Sequence, residues 1–402
     1  MNSYDYLAKS IPVKFPGRMP TGYVNNVQYW GNISHQDLYS TLPDGTPKML
    51  TMDIDFGDVC SLSCPHCFRR DARVDSVNNP LSDEQIIDYI RQAKDLGLQS
   101  IKILGRGEPF QNSEFLSFLR TMTDMGIGVG IFTKGTVLGN DNMAVHYNEK
   151  YGIKSAKGLC SAVKELKTSV FLNFMSFDDS VSTQMVGGIK DYVANRNSAL
   201  LNLNESGFND FYAAVPTRLA LICAPYTPKT VDEVFDIYKF GHERNMYVVA
   251  CPTTLSGKGI DTYEEQKNGR YKRFIKKAES VYADIYTYAI KNNIISWTDF
   301  LHNGPHVYPG AHPCNQTAAG FYLQLSGQIF TCPGRMDNET IIVKNIRDYP
   351  DLRSVWKDSL PYKRAKTNNK KFNLGCIARD GRSLPQDFYN RITDLTLKQL
   401  AR

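Results

Sequence analysis

The chain has 402 residues, 42% hydrophobic and 22% charged, with 47 basic against 41 acidic residues and a net charge of +6. That balance describes a globular protein with a sizeable core, one large domain and a smaller one; it excludes a disordered tail, and the charge is too mild to argue for a nucleic-acid partner. The longest apolar runs, TRLALICAPY and MYVVAC, stop well short of a bilayer span, and the N-terminus MNSYDYLAKSIPVKFPGRMP scatters charges and prolines where a signal peptide needs an apolar stretch, so a cytoplasmic protein with no membrane contact is expected.

In chain order, residues 1–47 form an aromatic, proline-containing extension with no assignable element. Residues 48–300 alternate short β-rich runs with amphipathic stretches, the pattern of βα units around a parallel sheet. Strands are predicted at 49–56, 100–105, 128–133, 169–177, 218–224 and 246–251. LSDEQIIDYIRQAKDLG reads as a helix capped by Ser82 with Gln85 three residues on, and stopped by Gly97. SEFLSFLRTMTDMG repeats the design with Ser113 and Gly126, and TPKTVDEVFDIYKFGHERN supplies a third helix, while 136–168 is ambiguous, with room for an insertion. Residues 301–402 turn to short Gly/Pro-punctuated pieces, a small α+β domain containing a β-hairpin. Two basic stretches, 267–277 and 344–371, read as solvated faces.

Nine cysteines in a chain without an export signal point to metal binding or catalysis ahead of disulfides. Three of them, Cys60, Cys64 and Cys67 in DVCSLSCPHCFRRD, follow the first predicted strand at the spacing C-x3-C-x2-C. Thiolates are soft ligands suited to iron–sulfur clusters or zinc. Structural zinc takes four protein ligands, and only His66, wedged between two of the cysteines, offers a fourth nearby.

The triplet, its position after a first strand, and His66 before the last cysteine resemble the radical S-adenosylmethionine (SAM) superfamily. The resemblance implies a partial (β/α)6 TIM-like barrel in which Cys60, Cys64 and Cys67 hold a [4Fe–4S] cluster whose open iron chelates SAM. An electron from a one-electron reductase such as flavodoxin or ferredoxin would cleave SAM to a 5′-deoxyadenosyl radical that abstracts hydrogen from a substrate. KILGRGEPF then resembles the family's glycine-rich second-strand end, implying that Gly105, Gly107, Glu108 and Pro109 lie along SAM, with Arg106 a departure from the usual Gly-Gly-Glu. IFTKG resembles the third-strand end and brings in Thr133; MSFDD resembles the fourth and brings in Ser176 and Asp178 as SAM contacts. All fall at the C-terminal ends of successive strands, where a barrel builds its active site.

Cys314, Gly327 and Cys332 follow C-x12-G-x4-C, which resembles the opening of a SPASM or twitch domain and implies an auxiliary iron–sulfur cluster, with Cys376 as third ligand. Asn373 stands where the twitch form places a further cysteine; the fourth ligand is another cysteine such as Cys251, a histidine among His302, His306 and His312, or the substrate itself. A zinc clasp or unligated thiols are the alternatives for this group. Cys160 and Cys223 read as core residues, whereas Cys251, ending the sixth strand, is a candidate hydrogen-atom donor of an epimerase.

The reading is a radical SAM oxidoreductase or isomerase acting on a small metabolite such as an amino sugar, cyclitol or nucleoside. Maturation or epimerisation of a ribosomally made peptide is the second reading, and a zinc- or cluster-containing nucleic-acid-binding protein, using the basic run at 344–371, the third.

Overall fold

The structure, a computed structural model, describes residues 3–14, 37–67, 77–104, 106–211, 216–252, 256–258, 269–310, 316–336, 338, 340–359, 384, 385 and 387–402. It is built on a mixed sheet of nine strands that does not close into a barrel. The first six, β1 (Thr51–Ile54), β2 (Ser100–Ile103), β3 (Gly128–Thr133), β4 (Thr168–Asn173), β5 (Leu219–Cys223) and β6 (Tyr247–Ala250), are the six predicted strands. They pair in sequence order and in parallel, each joined to the next by helical crossovers. On the other side of β1 lies β7 (Tyr322–Leu323), also parallel, followed by β8 (Ile329–Phe330) and β9 (Ile341–Val343), both antiparallel. The expected C-terminal hairpin thus exists, turned at Gly327 with φ +87°, and it is continuous with the sheet.

Alternation along the strands makes the sheet two-faced, as in parallel sheets buried on both sides. Met52, Ile54, Ile101, Ile103, Val129 and Ile131 join the core formed with the surrounding helices. The intervening positions form the inner face: Phe171, Ala220, Ile222, Tyr247 and Val249 cluster there with Phe132, whose ring stacks on Phe171 at 4.6 Å. Toward β1 and β2 this face turns polar, with Lys102 bridging Asp53 (3.1 Å) and Gln316 (2.8 Å). Gly130 makes room between the two halves, because a Cβ there would stand 2.6 Å from Phe171.

The helix Asp83–Asp95 carries the expected reciprocal cap between Ser82 and Gln85. Ser113 does not cap the next helix, Phe115–Asp124: a 3₁₀ turn, Pro109–Gln111, precedes it, and Asn112 Oδ1 accepts the Glu114 N–H instead. The segment 136–168 contains two capped helices, Asp141–Asn148 and Ala156–Lys164. β4 ends four residues before its expected end at 177, since Phe174 and Phe177 turn into the helical core.

Part of the N-terminal extension is integral to the domain. The helix Ser3–Ser10 docks beside the β4 end, with the Ser3 N–H on Phe177 O (3.0 Å). Arg196, fully buried over the Phe174 ring, donates to Ser176 O, Ser182 Oγ, Asn197 Oδ1 and Ser3 Oγ. Among the described residues, no helix is long and apolar enough to cross a membrane. In the basic stretches, Lys277 pairs with Asp232 at an exposed position and Arg353 with Asp44.

His242, on the helix Val234–Glu243, places Nδ1 2.9 Å from the Tyr288 hydroxyl, and its Nε2 is buried without a hydrogen bond. Burial lowers its pKa from 6.5 to about 4, so the folded state resists protonation that the unfolded chain accepts. The neutral ring contributes stability above pH 6.5 that is lost as pH falls toward 4, on the order of 3 kcal/mol. Thermal melting should therefore show a smaller drop between pH 7 and pH 5 in His242→Gln than in wild type; equal drops would contradict the assignment.

Candidate active site

A cavity of about 380 Å³ opens at the C-terminal ends of the parallel strands. Its wall carries Leu104 after β2, Phe132 to Lys134 at the end of β3, Asn173 closing β4, and Ile222, Ala224 and Pro225 at β5. Across from them stands the cysteine loop, contributing Cys60, Cys64, His66 and Cys67. All three thiols are partly exposed and free of disulfides.

The loop is held from four directions. Gly107 packs against its start, the Glu108 N–H donating to Val59 O at 2.8 Å. Gln111 accepts the Ser61 N–H (2.9 Å) and donates to the Ser61 hydroxyl (2.7 Å). The Ser63 N–H reaches Val186 O at 3.3 Å, beside Gly187, where a Cβ would lie 2.6 Å from Ser63 O. At the far end the Lys258 N–H donates to Cys67 O at 3.1 Å. Arg106 pairs with Asp58 at 2.6 Å immediately before the first cysteine.

Glu108 is the hub of the wall. Its Oε1 accepts from the Thr133 hydroxyl at 2.6 Å and its Oε2 from the Lys134 N–H at 2.8 Å, while the Gly135 N–H donates to Thr133 Oγ1. Burial pushes the Glu108 carboxyl up, against the hydrogen bonds from Thr133 and Lys134. Burial, with Glu108 close by, also pushes the Cys60 thiol up to about 11. Burial keeps His66 below the ordinary histidine range, aided by Lys134 and Lys229, so its ring is neutral at pH 7.

Residues 54–236 match the sequence model of the radical SAM superfamily. Over that span, somewhat less than half of the chain, the sequence is similar to that superfamily. None of the curated proteins matches the chain. Among solved structures, SuiB of Streptococcus suis bound to S-adenosylmethionine is 18% identical, over 79% of this chain and 65% of that one, with a TM-score of 0.46. SuiB bound to the precursor peptide SuiA is 20% identical over 79% and 66%, with a TM-score of 0.47. BtrN in complex with AdoMet and 2-DOIA is 10% identical over 81% and 88%, with a TM-score of 0.35. The chain spans less than two thirds of the length of these two SuiB chains.

The radical SAM superfamily binds a [4Fe–4S] cluster and SAM, and the residues here would fit that pair. Three soft donors line one cavity, and among the described residues no three His, Cys, Asp or Glu side chains are gathered around a single ion. Of the residues expected to touch SAM, the structure brings Gly107, Glu108 and Thr133 to the cavity. Pro109 is buried behind it as the first residue of the 3₁₀ turn, and Gly105 lies outside the described residues. Gly107 also lets the cysteine loop pack closely, since a Cβ there would stand 2.3 Å from Val59 O in that loop.

Ser176 and Asp178 do not line the cavity. The Ser176 hydroxyl donates to Glu233 Oε1 and accepts the Asp178 N–H, and Asp178 caps the helix Asp179–Gln184. The β4 residue that does reach the cavity is Asn173, held by the Tyr192 hydroxyl at 3.2 Å. Cys251 is buried beside Tyr226 and Tyr282 and is not among the residues that line the cavity. Cys332 is described, with the Gly334 N–H on its sulfur at 3.3 Å, whereas Cys314, Cys376 and His312 lie outside the described residues. Of the other histidines, His302 is exposed and His306 is buried with its N–H on the Tyr286 hydroxyl. Sequence reasoning missed Lys134, Asn173, Gln111, Gly187 and Lys258; of these only Lys134, a lone charge ending an apolar strand, carried a local signal.

Adding a Cβ at Gly107 requires the cysteine loop to move, at a cost of about 1–3 kcal/mol for overpacking. Gly107→Ala should therefore lose most of the iron taken up on anaerobic reconstitution. Gly158→Ala, whose Cβ would meet only Ser155 Oγ at 3.2 Å, should load like wild type. Iron content per chain reads both, and normal loading of Gly107→Ala would refute the packing argument.

Proposed function

We propose that this chain is a radical SAM enzyme that modifies a small metabolite by hydrogen abstraction. The observation that carries the reading is the convergence of Cys60, Cys64 and Cys67 on one cavity with Glu108, Thr133 and Lys134 from the β2 and β3 ends. When bound there, the cluster and SAM supply one-electron reductive cleavage and a hydrogen-abstracting radical. Cys60, Cys64 and Cys67 are the cluster ligands, each giving one thiolate.

Glu108, with lone pairs left after its bonds to Thr133 and Lys134, accepts from the SAM amino group; Thr133 fixes that carboxylate. Ser176 and Asp178 act by position, fixing the turn after β4 that sets Asn173 and Met175 in the wall. Leu104, Phe132, Phe171 and Ile222 form an apolar lining that excludes water from the reacting groups. The cavity of about 380 Å³ is the space assigned to the cluster and SAM. The burial of Cys251 beside Tyr226 and Tyr282 favours an oxidoreductase over an epimerase.

Cys314, Cys332 and Cys376 are proposed to hold an auxiliary cluster; the Gly334 N–H on the Cys332 sulfur supports this, since hydrogen bonds to the sulfurs are a feature of such sites. A flavodoxin or ferredoxin is the proposed electron donor.

Two measurements test this. Reconstituted protein with dithionite and SAM should release 5′-deoxyadenosine, and Cys64→Ala should reduce release at least a hundredfold; loaded wild-type protein that yields none would sink the reading. Iron and sulfide per chain should approach about eight and fall to about four in Cys332→Ala, whereas about four in wild type would remove the auxiliary cluster alone.

A further inference from the structure

Lys134 is a charged residue of the cavity wall for which no ion pair is found among the described residues. Its backbone is pinned on both sides. The Thr133 hydroxyl and the Lys134 N–H both bind Glu108, and Gly135 sits at φ +80° where a Cβ would stand 2.5 Å from Leu172. The side chain lines the same cavity as Cys60, Cys64 and Cys67.

Among the described residues, no carboxylate forms an ion pair with its ammonium. Glu108, the acid on the same wall, feels the Lys134 charge but makes no ion pair with it, its oxygens binding the Thr133 hydroxyl and the Lys134 N–H. Asp58 is engaged by Arg106. A half-buried cation with no ion pair among the described residues, set in the wall of the cavity that the three cysteines line, is placed to face the negative charge of what the cavity binds.

We infer that Lys134 is the fixed counter-charge of the cluster held by Cys60, Cys64 and Cys67, and that its ammonium raises the reduction potential of that cluster. The inference rests on the reading of those cysteines as cluster ligands. One electron from the reductant takes the cluster core from 2+ to 1+ and adds a negative charge beside Lys134; no bond is made or broken and no proton moves. A positive charge at this position stabilises the reduced form over the oxidised one, since net charge near the sulfurs is among the factors that set such potentials. Lys134 is in this sense a positioning residue for charge, distinct from the groups that touch the reacting atoms.

The test is a redox titration of the cluster by electron paramagnetic resonance, in reconstituted full-length protein, with dithionite as reductant and without SAM. Lys134→Met should lower the equilibrium constant for one-electron reduction about tenfold, equal to ~59 mV, and Lys134→Arg should restore it. An unchanged potential in a loaded Lys134→Met overturns the inference, as does a variant that only weakens SAM binding, because the lysine then serves the SAM carboxylate. Should Lys134→Met take up no iron, Lys134→Arg decides: a cluster at the wild-type potential supports the inference, and no cluster overturns it. Wild-type protein that assembles no cluster would instead defeat the underlying reading of the three cysteines.

Discussion

Glu108 is a buried carboxylate shared between two strand ends. Its oxygens collect the Thr133 hydroxyl and the Lys134 N–H from β3, while its own N–H reaches Val59 O at the foot of the cysteine loop. Everything chemically distinctive about the cavity hangs from this junction: the entry of the cysteine loop, the direction of Lys134, and the spacing between β2 and β3 at the rim. Such a group is costly to bury and retains its place because each oxygen is satisfied. An apolar residue at 108 would pack, but it would leave the Lys134 N–H buried and unpaired and the rim undefined.

The sheet below supports that rim by keeping its two faces separate. Aliphatic side chains from alternate positions lock the strands to the surrounding helices, so the inner face is free to be heterogeneous. One half is aromatic, with Phe132 stacked on Phe171, and the other is ionic, with Asp53, Lys102 and Gln316. The cavity draws its lining from the aromatic half, so the strands facing the cysteine loop present a dry floor to anything bound above them.

Much of this was legible because it depends on short-range rules. The six parallel strands follow from β-rich runs separated by amphipathic stretches, and the Ser82–Gln85 cap from a spacing of three. The cysteine triplet needs only one loop. What the sequence concealed depends on contacts between distant segments. Gln111 is an unremarked polar residue until its amide is seen gripping Ser61, fifty positions earlier. Gly187 looks like part of an ordinary Gly-Gly turn, yet it marks where a helix end meets Ser63. Ser176 and Asp178 satisfy the expected pattern by type while bonding Glu233 and capping a helix, because β4 ends early and hands the cavity position to Asn173. Ser113 failed as a cap for a local reason: Asn112, one residue earlier, reached the helix start first.

The attachment of β7 to β1 bears on how the molecule is assembled. Tyr322 hydrogen-bonds to Asp55, 267 residues away, and until that segment emerges from the ribosome one side of β1 is an open edge. The entropy of closing so long a loop grows only slowly with length, yet contacts of this separation form late. An open parallel edge is also a template for pairing with the wrong chain. The last quarter of the sequence therefore works as a seal on the first strand, and a fragment ending near residue 300 would carry every cysteine of the N-terminal loop on a sheet prone to join its neighbours.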